Sequence, residues 1–390
     1  MANTLRRLLQ TIHLWMGIVL CIPIVLIGLT GSALLLQREI LSLIAPSTDS
    51  EGPTQSVERI VGAARAAVPE QARANWVDLP TDAGKAAIVQ FSIGQRPSRR
   101  VDVSIDAISL QILGTENYVR RGPIKTVLVD IHEFMMMPEH IGFPFVGWMG
   151  VAMTFMGISG IIVWWPRRGQ WRGTFAVRSG IGALRLNVDL HRLIGIAGSL
   201  IFLILSVSGV YLIFPVEVSG VVNALLPGQG REYLPPDVDF TPAGPLNHDD
   251  AIKVALAVVT DAPVTGIQLP PAPGRPYIVQ MEPPGFGPTV PAIMVTIDAK
   301  TAAIDYIDDP RDHSPAERAI NLMHAAHFSV GLGPVWNLIV FLSGILPLFL
   351  AVTGITTWWK RRRAGVEAAA LARRRRRQVS SNSPDATMGQ

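Results

Sequence analysis

Histidines are the residues of this 390-residue chain whose placement best suits chemistry, because six of the eight lie in or beside long apolar segments. His13 and His191 stand at equivalent points of two such segments, and each is followed by a glycine four residues later, Gly17 and Gly195. An ionisable side chain near a membrane-spanning helix is costly, so a functional role is the default interpretation. The repeated His and Gly spacing predicts that both imidazoles do the same task at the same depth.

A second set of histidines lies at the other end of the apolar segments, and its pairing is open. Counting from Pro123 and Pro315, which stand at the predicted starts of two short helices, pairs His132 with His324. Counting back from a repeated glycine further along the chain pairs His132 with His327 instead. We favour His327, since a glycine also follows it by four residues. His324 then remains an alternative ligand or a residue that faces substrate.

Paired imidazoles at the two membrane faces suit haem. Two histidines on opposite sides of one haem iron make a b-type site for electron transfer, because no coordination position is left open. The single cysteine, Cys21, cannot form the Cys-x-x-Cys-His attachment of c-type haem, so the haem would be bound without a covalent link. The sequence therefore predicts two haem b groups, one near each face, with four histidine ligands: His13, His191, His132 and His327.

Composition and charge indicate an integral membrane protein. Mean hydropathy is +0.33 and only 16% of residues are charged. The excess of Arg and Lys lies in short clusters that flank apolar stretches, which argues against a nucleic-acid partner and places both termini in the cytoplasm. Each stretch has the roughly 20 residues that a helix needs to cross a bilayer. The predicted spans are near 12–36, 143–165, 192–214 and 335–359.

The two halves of the sequence repeat one another. Segment 157–160 corresponds to 351–354, in addition to the histidine and glycine repeat. Each long connection has a helical pattern followed by strand-like alternation. The predicted fold class is a membrane all-α four-helix bundle with two periplasmic α+β modules, produced by internal duplication.

These patterns divide the chain into eight parts. The last of them, rich in arginine and ending in Ser, Asn and Pro, is predicted to be a disordered basic cytoplasmic tail. The parts are transmembrane helix 1 (1–39), module 1 (40–122), a short helix with transmembrane helix 2 (123–168), a cytoplasmic linker (169–190), transmembrane helix 3 (191–215), module 2 (216–314), a short helix with transmembrane helix 4 (315–362) and the tail (363–390).

The chain resembles the PepSY-associated transmembrane helix family. The resemblance rests on the segments 189–195 (Asp-Leu-His-Arg-Leu-Ile-Gly) and 353–359 (Thr-Gly-Ile-Thr-Thr-Trp-Trp), on the modules and on the four-span layout. Within the family the arrangement is similar to FoxB-type ferric-siderophore reductases of the bacterial inner membrane. The resemblance implies a di-haem b oxidoreductase in membrane lipid that reduces ferric siderophore in the periplasm.

Other functions stay open at this point. The modules could bind or regulate without catalysis, with structural histidines, or a haem oxidoreductase could serve another acceptor. A transporter is disfavoured because none of the spans carries a central charged residue. Met135–Met137 could provide thioether ligands to copper beside the outer histidines. The sequence lacks the glycine-rich loops of NAD and ATP sites, so the electron donor must be a quinol, a soluble reductase or another membrane partner.

Overall fold

A computed structural model describes residues 2–43, 46–81, 84–94, 99–118, 123–166, 171–178, 182–226, 246–272, 274–285 and 290–381. Within these ranges the chain forms α-helices and a β-sheet. The helices are α1 (Ala2–Val19), α2 (Cys21–Leu43), α3 (Val57–Ala64), α4 (Pro123–Phe134), α5 (Glu139–Trp164), α6 (Trp171–Thr174), α7 (Ala183–Ile213), α8 (Pro215–Leu225), α9 (His248–Val258), α10 (Pro315–Phe328) and α11 (Gly333–Ser381).

Within the described ranges four apolar helices are long enough to cross a membrane, in agreement with the four predicted spans. Their apolar segments are Cys21–Ile40, Glu139–Trp164, Ala183–Ile213 and Gly333–Arg374. The first span is interrupted at Leu20, just before Pro23, because proline cannot supply the backbone donor that a continuous helix needs.

Two helix bounds differ from the sequence-based divisions. Helix α7 begins at Ala183, inside the predicted linker, and α11 continues to Ser381 through most of the predicted disordered tail. The segment after Lys360 consists mostly of alanine and arginine, which both have high helix propensity. The segment is therefore helical although it is too polar to span a membrane. The basic clusters 360–363 and 373–377 therefore lie on α11 rather than in irregular chain.

Small residues let the spanning helices approach closely. Helix α2 packs on α11, α5 packs on α7, and α7 also packs on α11. A Cβ atom on Gly28 would lie 2.5 Å from the carbonyl oxygen of Gly344, so these two backbones are in direct contact. Beside them, Ser32 donates a hydrogen bond to the Phe341 carbonyl at 2.6 Å. The contact fixes α2 and α11 in register with one another.

The strands form one antiparallel sheet. Its order is β4-β3-β2-β1-β5-β6-β7-β8, so the first four strands and the last four meet at β1 and β5, where Val77 pairs with Ile267. The strands of the two predicted modules thus form the two halves of a single sheet. The strands are β1 (Arg73–Asp78), β2 (Ala87–Ile93), β3 (Arg99–Ile105), β4 (Ile112–Tyr118), β5 (Val264–Gln268), β6 (Tyr277–Met281), β7 (Ile293–Ile297) and β8 (Ile304–Asp308).

Helices α3 and α9 cover one face of this sheet and share its core. Alternate residues of the central strands are fully buried, among them Phe91 and Val279. The Asp249 carboxylate of α9 accepts a hydrogen bond from the Val57 backbone N–H at 2.7 Å, at the start of α3. The two halves are therefore joined by hydrogen bonds as well as by apolar packing.

The histidines of this sheet domain have structural partners. His248 is the first residue of α9, and its Nδ1 lies 3.1 Å from the Tyr277 hydroxyl. Burial lowers the pKa of His248, which the nearby Glu58 carboxylate only partly opposes, and burial raises the pKa of Tyr277 to about 12. His313 Nε2 lies 2.8 Å from an Asp308 carboxylate oxygen. His248 thus lies at a helix start, and His313 lies in the turn before α10.

Candidate haem sites at the two ends of the spanning helices

The spanning helices have two distinct ends. We call the end that bears Arg6, Arg185 and Arg192 the arginine face, and the end that carries the β-sheet the sheet face. His13 and His191 lie at the arginine face and line the same cavity. His132 and His327 lie near the sheet face, on α4 and α10.

A serine on a neighbouring helix orients His13. Its ring Nδ1 lies 2.9 Å from Ser159 Oγ. Ser159 in turn donates a hydrogen bond to the Met156 carbonyl, at 3.2 Å, and so its oxygen accepts a hydrogen bond from His13 Nδ1–H. Nε2 of His13 is then the nitrogen with a lone pair for a metal, the arrangement usual for a metal-ligating histidine.

His191 has the same environment. Its Nδ1 lies 2.8 Å from Thr353 Oγ1, and Thr353 donates to the Phe349 carbonyl at 2.8 Å. The hydroxyl must again accept from the ring, which assigns the proton of His191 to Nδ1. Both histidines of the arginine face are therefore oriented to bind a metal through Nε2.

The histidines near the sheet face follow the same rule. His132 Nδ1 donates to the Ile27 carbonyl at 2.9 Å and lies 3.2 Å from Thr30 Oγ1. His327 Nδ1 lies 3.0 Å from Ser208 Oγ, whose proton goes to the Leu205 carbonyl. All four rings thus present Nε2 as the free acceptor.

His132 faces His327 rather than His324. The ring centroids of His132 and His327 are 6.4 Å apart, at an interplanar angle of 55°. Metal–imidazole bonds of about 2.0–2.1 Å place two rings on opposite sides of one metal with centroids about 6 Å apart. The His324 ring instead packs on Phe328, with centroids separated by 4.6 Å. Of the two candidates, His327 has the geometry of a partner for His132.

A glycine follows each of the four hydroxyl residues and lies against the histidine ring. A Cβ atom on Gly31 would come within 2.9 Å of His132 Cε1, and one on Gly209 within 3.2 Å of His327 Cε1. The corresponding distances to His13 and His191 are 3.3 and 3.4 Å. A methyl group would therefore displace the His132 ring, crowd the rings of His327 and His13, and only touch the ring of His191. The four dipeptides are Thr30-Gly31, Ser159-Gly160, Ser208-Gly209 and Thr353-Gly354.

The family model described as PepSY-associated TM region matches residues 10–361. The chain belongs to this family. The match includes all four spanning helices and all four oriented histidines, and it identifies a multi-pass membrane protein. No curated protein matches the sequence.

This PepSY-associated membrane protein has a large cavity at the arginine face. Its volume is about 1130 Å³, slightly above the range of about 300–1,000 Å³ that is usual for small-molecule and cofactor sites. His13 and His191 line it together with Gly17 and Gly195, the glycines that the sequence analysis singled out. Those glycines therefore bound the cavity, while other glycines, on neighbouring helices, contact the rings.

Among the described residues of the PepSY-associated protein, Arg6 Nε and Trp164 Nε1 are buried donors without a partner, whereas Arg185 Nε, which also forms no hydrogen bond, pairs with the Asp189 carboxylate at 3.3 Å. Arg6, Trp164 and Arg185 all line the cavity at the arginine face. An unsatisfied buried donor is costly, and a carboxylate is its strongest partner. Haem b carries an apolar ring and two propionate carboxylates. The glycine-lined walls, the histidine pair and the unpartnered donors together fit such a group.

The Ser and Thr partners of the histidines were not predicted from the sequence. The signal for the partners was present, since a Ser or Thr precedes a glycine in each span of this PepSY-associated protein, although the fourth span has a second such pair at Ser343-Gly344. Trp164 is buried at 7% exposure and packs on Phe175 with ring centroids 5.3 Å apart. Met135 and Met136, considered for copper, have positive φ angles in the turn that ends α4.

Proposed function

We propose that this chain is a di-haem b oxidoreductase of the bacterial inner membrane that passes electrons to ferric siderophore iron in the periplasm, as in the FoxB-type reductases it resembles. The observation that carries the proposal is the presence of two histidine pairs, one toward each end of the spanning helices, with the same Nδ1 hydrogen bonding at all four rings. A histidine pair near each end could hold two haems, and electrons could then cross a distance that a single haem could not span.

The distribution of arginine residues supports an orientation of the protein in the membrane. The arginine face has the cationic residues that the positive-inside rule assigns to the cytoplasm, including Arg6, Arg192 and Arg361. Both chain termini then lie in the cytoplasm and the β-sheet lies in the periplasm. We interpret the spanning helices as a four-helix bundle that arose by internal duplication.

The protein residues have separable tasks. Haem b, when bound, supplies reversible one-electron chemistry at iron. His13 and His191 would hold one haem, and His132 and His327 the other. The Ser and Thr hydroxyls keep each ring proton on Nδ1 and so keep Nε2 available, while Arg6 and Trp164 offer donors to propionate at the cytoplasmic end.

The net reaction transfers one electron to each ferric ion. The reductant is a quinol or a soluble reductase on the cytoplasmic side, and the oxidant is the siderophore-bound Fe(III), which becomes Fe(II). Lower charge weakens the bonds between iron and hard oxygen ligands, so the metal is released more readily. No bond to the protein forms or breaks in this step.

The test is haem content together with reductase activity. Purified protein should contain two haem b per chain with a bis-histidine spectrum, and pre-reduced protein in vesicles should be reoxidised by a ferric siderophore. Protein that purifies with its fold intact but without haem would contradict the proposal and favour a binding or regulatory role. Haem-containing protein that ferric siderophores leave reduced would point to another acceptor.

A further inference from the structure

A second cavity lies at the sheet face, next to the outer histidine pair. Its volume is about 530 Å³, and it is bounded by β5, β6 and α10. The sheet contributes Gln280 and Glu282, and α10 contributes Asn321 and His324. Polar side chains from the β-sheet and from a helix that leads into the membrane therefore meet in one recess.

This cavity is adjacent to His327. His324 stands one helical turn before His327 on α10, and side chains at this spacing are neighbours on one helix face, about 5–6 Å apart at Cβ. The residue at the same spacing before His132 is Val129, which is buried at 5% exposure. The valine shows that a polar residue three positions before the ligand is not needed to hold the ligand's ring in place. His324 itself is exposed to solvent.

A hydrogen-bond chain fixes the position of Asn321. His313 donates from Nε2 to Asp308 at 2.8 Å, and its Nδ1 accepts from Asn321 Nδ2 at 2.8 Å. The Asn321 amide is therefore held in place before any ligand arrives, which lowers the entropy cost of binding.

We propose that this cavity is the acceptor site and that it binds a neutral or cationic ferric chelate, with His324 and Asn321 forming hydrogen bonds to the chelate oxygens. The proposal rests on the proposed function and names its substrate class. Among the described residues that line the cavity, Glu282 is the one charged side chain that is not a histidine, and neither Lys nor Arg is present. A negative wall repels anionic chelates and tolerates neutral or positive ones.

A redox-inert probe tests binding separately from reduction. Gallium(III) tris(acetohydroxamate) is a neutral chelate with the shape of its iron counterpart, and it should bind to the purified full-length protein in titration calorimetry. His324→Ala should weaken this binding about tenfold through the loss of a hydrogen bond to the chelate. His140→Ala, which changes an exposed histidine near the sheet face that does not line the cavity, should bind as the wild type does.

Kinetics with the iron chelates completes the test. His324→Ala should raise KM for ferric tris(acetohydroxamate) while retaining both haems, and Glu282→Gln should improve kcat/KM for anionic ferric citrate relative to the neutral chelate about fivefold. The proposal is overturned if His324→Ala binds the gallium chelate like His140→Ala, or if it loses a haem. Gallium binding that depends on His324 in a protein without reductase activity would support the cavity and contradict the proposed function alone.

Discussion

His132 and His327 face one another with their ring centroids 6.4 Å apart, although 195 positions separate them in the sequence. They lie on α4 and α10, the two helices that lead from the sheet into the membrane. Each ring is fixed by an oxygen of a spanning helix, at Ile27 for His132 and at Ser208 for His327. The position of the sheet domain and the geometry of the outer pair are therefore coupled.

The hydroxyl partners should tune the haem sites. Ser208→Ala removes the acceptor of the His327 Nδ1 proton, and Thr353→Ala does the same for His191. Loss of such an outer partner typically costs about 10–100-fold in metal affinity or activity. We expect each variant to lose haem from one site only, as measured by pyridine haemochrome content and redox titration. Ser343→Ala is the matched control, because Ser343 is a buried helix serine that donates to the Val340 carbonyl. Equal haem loss in the control would count against a specific role for the partners.

The glycines against the rings should not tolerate a side chain. Gly31→Ala would place a methyl group 2.9 Å from His132 Cε1, closer than carbon atoms normally approach, so the ring must move. We expect the outer haem to be lost and the inner haem to be retained. Gly220→Ala adds the same methyl group to α8, where no atom lies within 4 Å, and should bind both haems. An unchanged spectrum in Gly31→Ala would show that the outer ring is not confined as described.

Arg38 should stabilise the end of α10 and thereby the position of His327 in the outer pair. It donates to the carbonyl oxygens of Phe328 and Ser329, the latter at 3.0 Å, where α10 ends directly after His327. A cation at a helix C-terminus contributes about 0.3–1 kcal/mol, and satisfied carbonyls add to this. Arg38→Gln should lower thermal stability slightly and shift the midpoint potential of the outer haem without affecting the inner one. Arg59→Gln, in α3, is the control, and a potential that moves equally in both variants would contradict this role.

The sheet domain should lose stability in mild acid through His248. Burial lowers the pKa of His248 in the folded protein, so the unfolded chain takes up a proton first as pH falls below the ordinary value of 6.5. This contribution to stability is present above pH 6.5 and is lost progressively down to the lowered pKa. The thermal midpoint should therefore fall more steeply between pH 7 and pH 5 in wild type than in His248→Gln. Parallel pH profiles for the two proteins would exclude His248 as the source.

Sequence patterns predicted the spanning helices well, because the length of an apolar stretch depends only on residues that are adjacent in the sequence. The four apolar helices and the starts of α4 and α10 at Pro123 and Pro315 follow from composition and proline placement alone. The sequence predicts a disordered tail from residue 363 onward because this segment is highly charged. Helix α11 nevertheless extends to Ser381, since its alanines and arginines have high helix propensity.

Contacts between distant segments were harder to predict. Spacing alone could not decide between His324 and His327, since both lie on α10 one turn apart and only packing against α7 brings one ring to Ser208. The joining of β1 to β5 depends on strand edges that no local pattern describes. The Ser and Thr partners were visible as Ser-Gly and Thr-Gly pairs, but a hydroxyl in a spanning helix usually bonds to its own backbone, which masks a second contact.

The central claim, two haem sites with separate histidine pairs, is tested most directly by counting haem in single-histidine variants of the purified protein. Wild type should contain two haem b per chain, His191→Ala and His327→Ala should each contain one, and His324→Ala should contain two. The redox titrations of the two one-haem variants should differ, since each retains a different site. A full haem complement in His327→Ala, or folded wild-type protein without haem, would contradict the account.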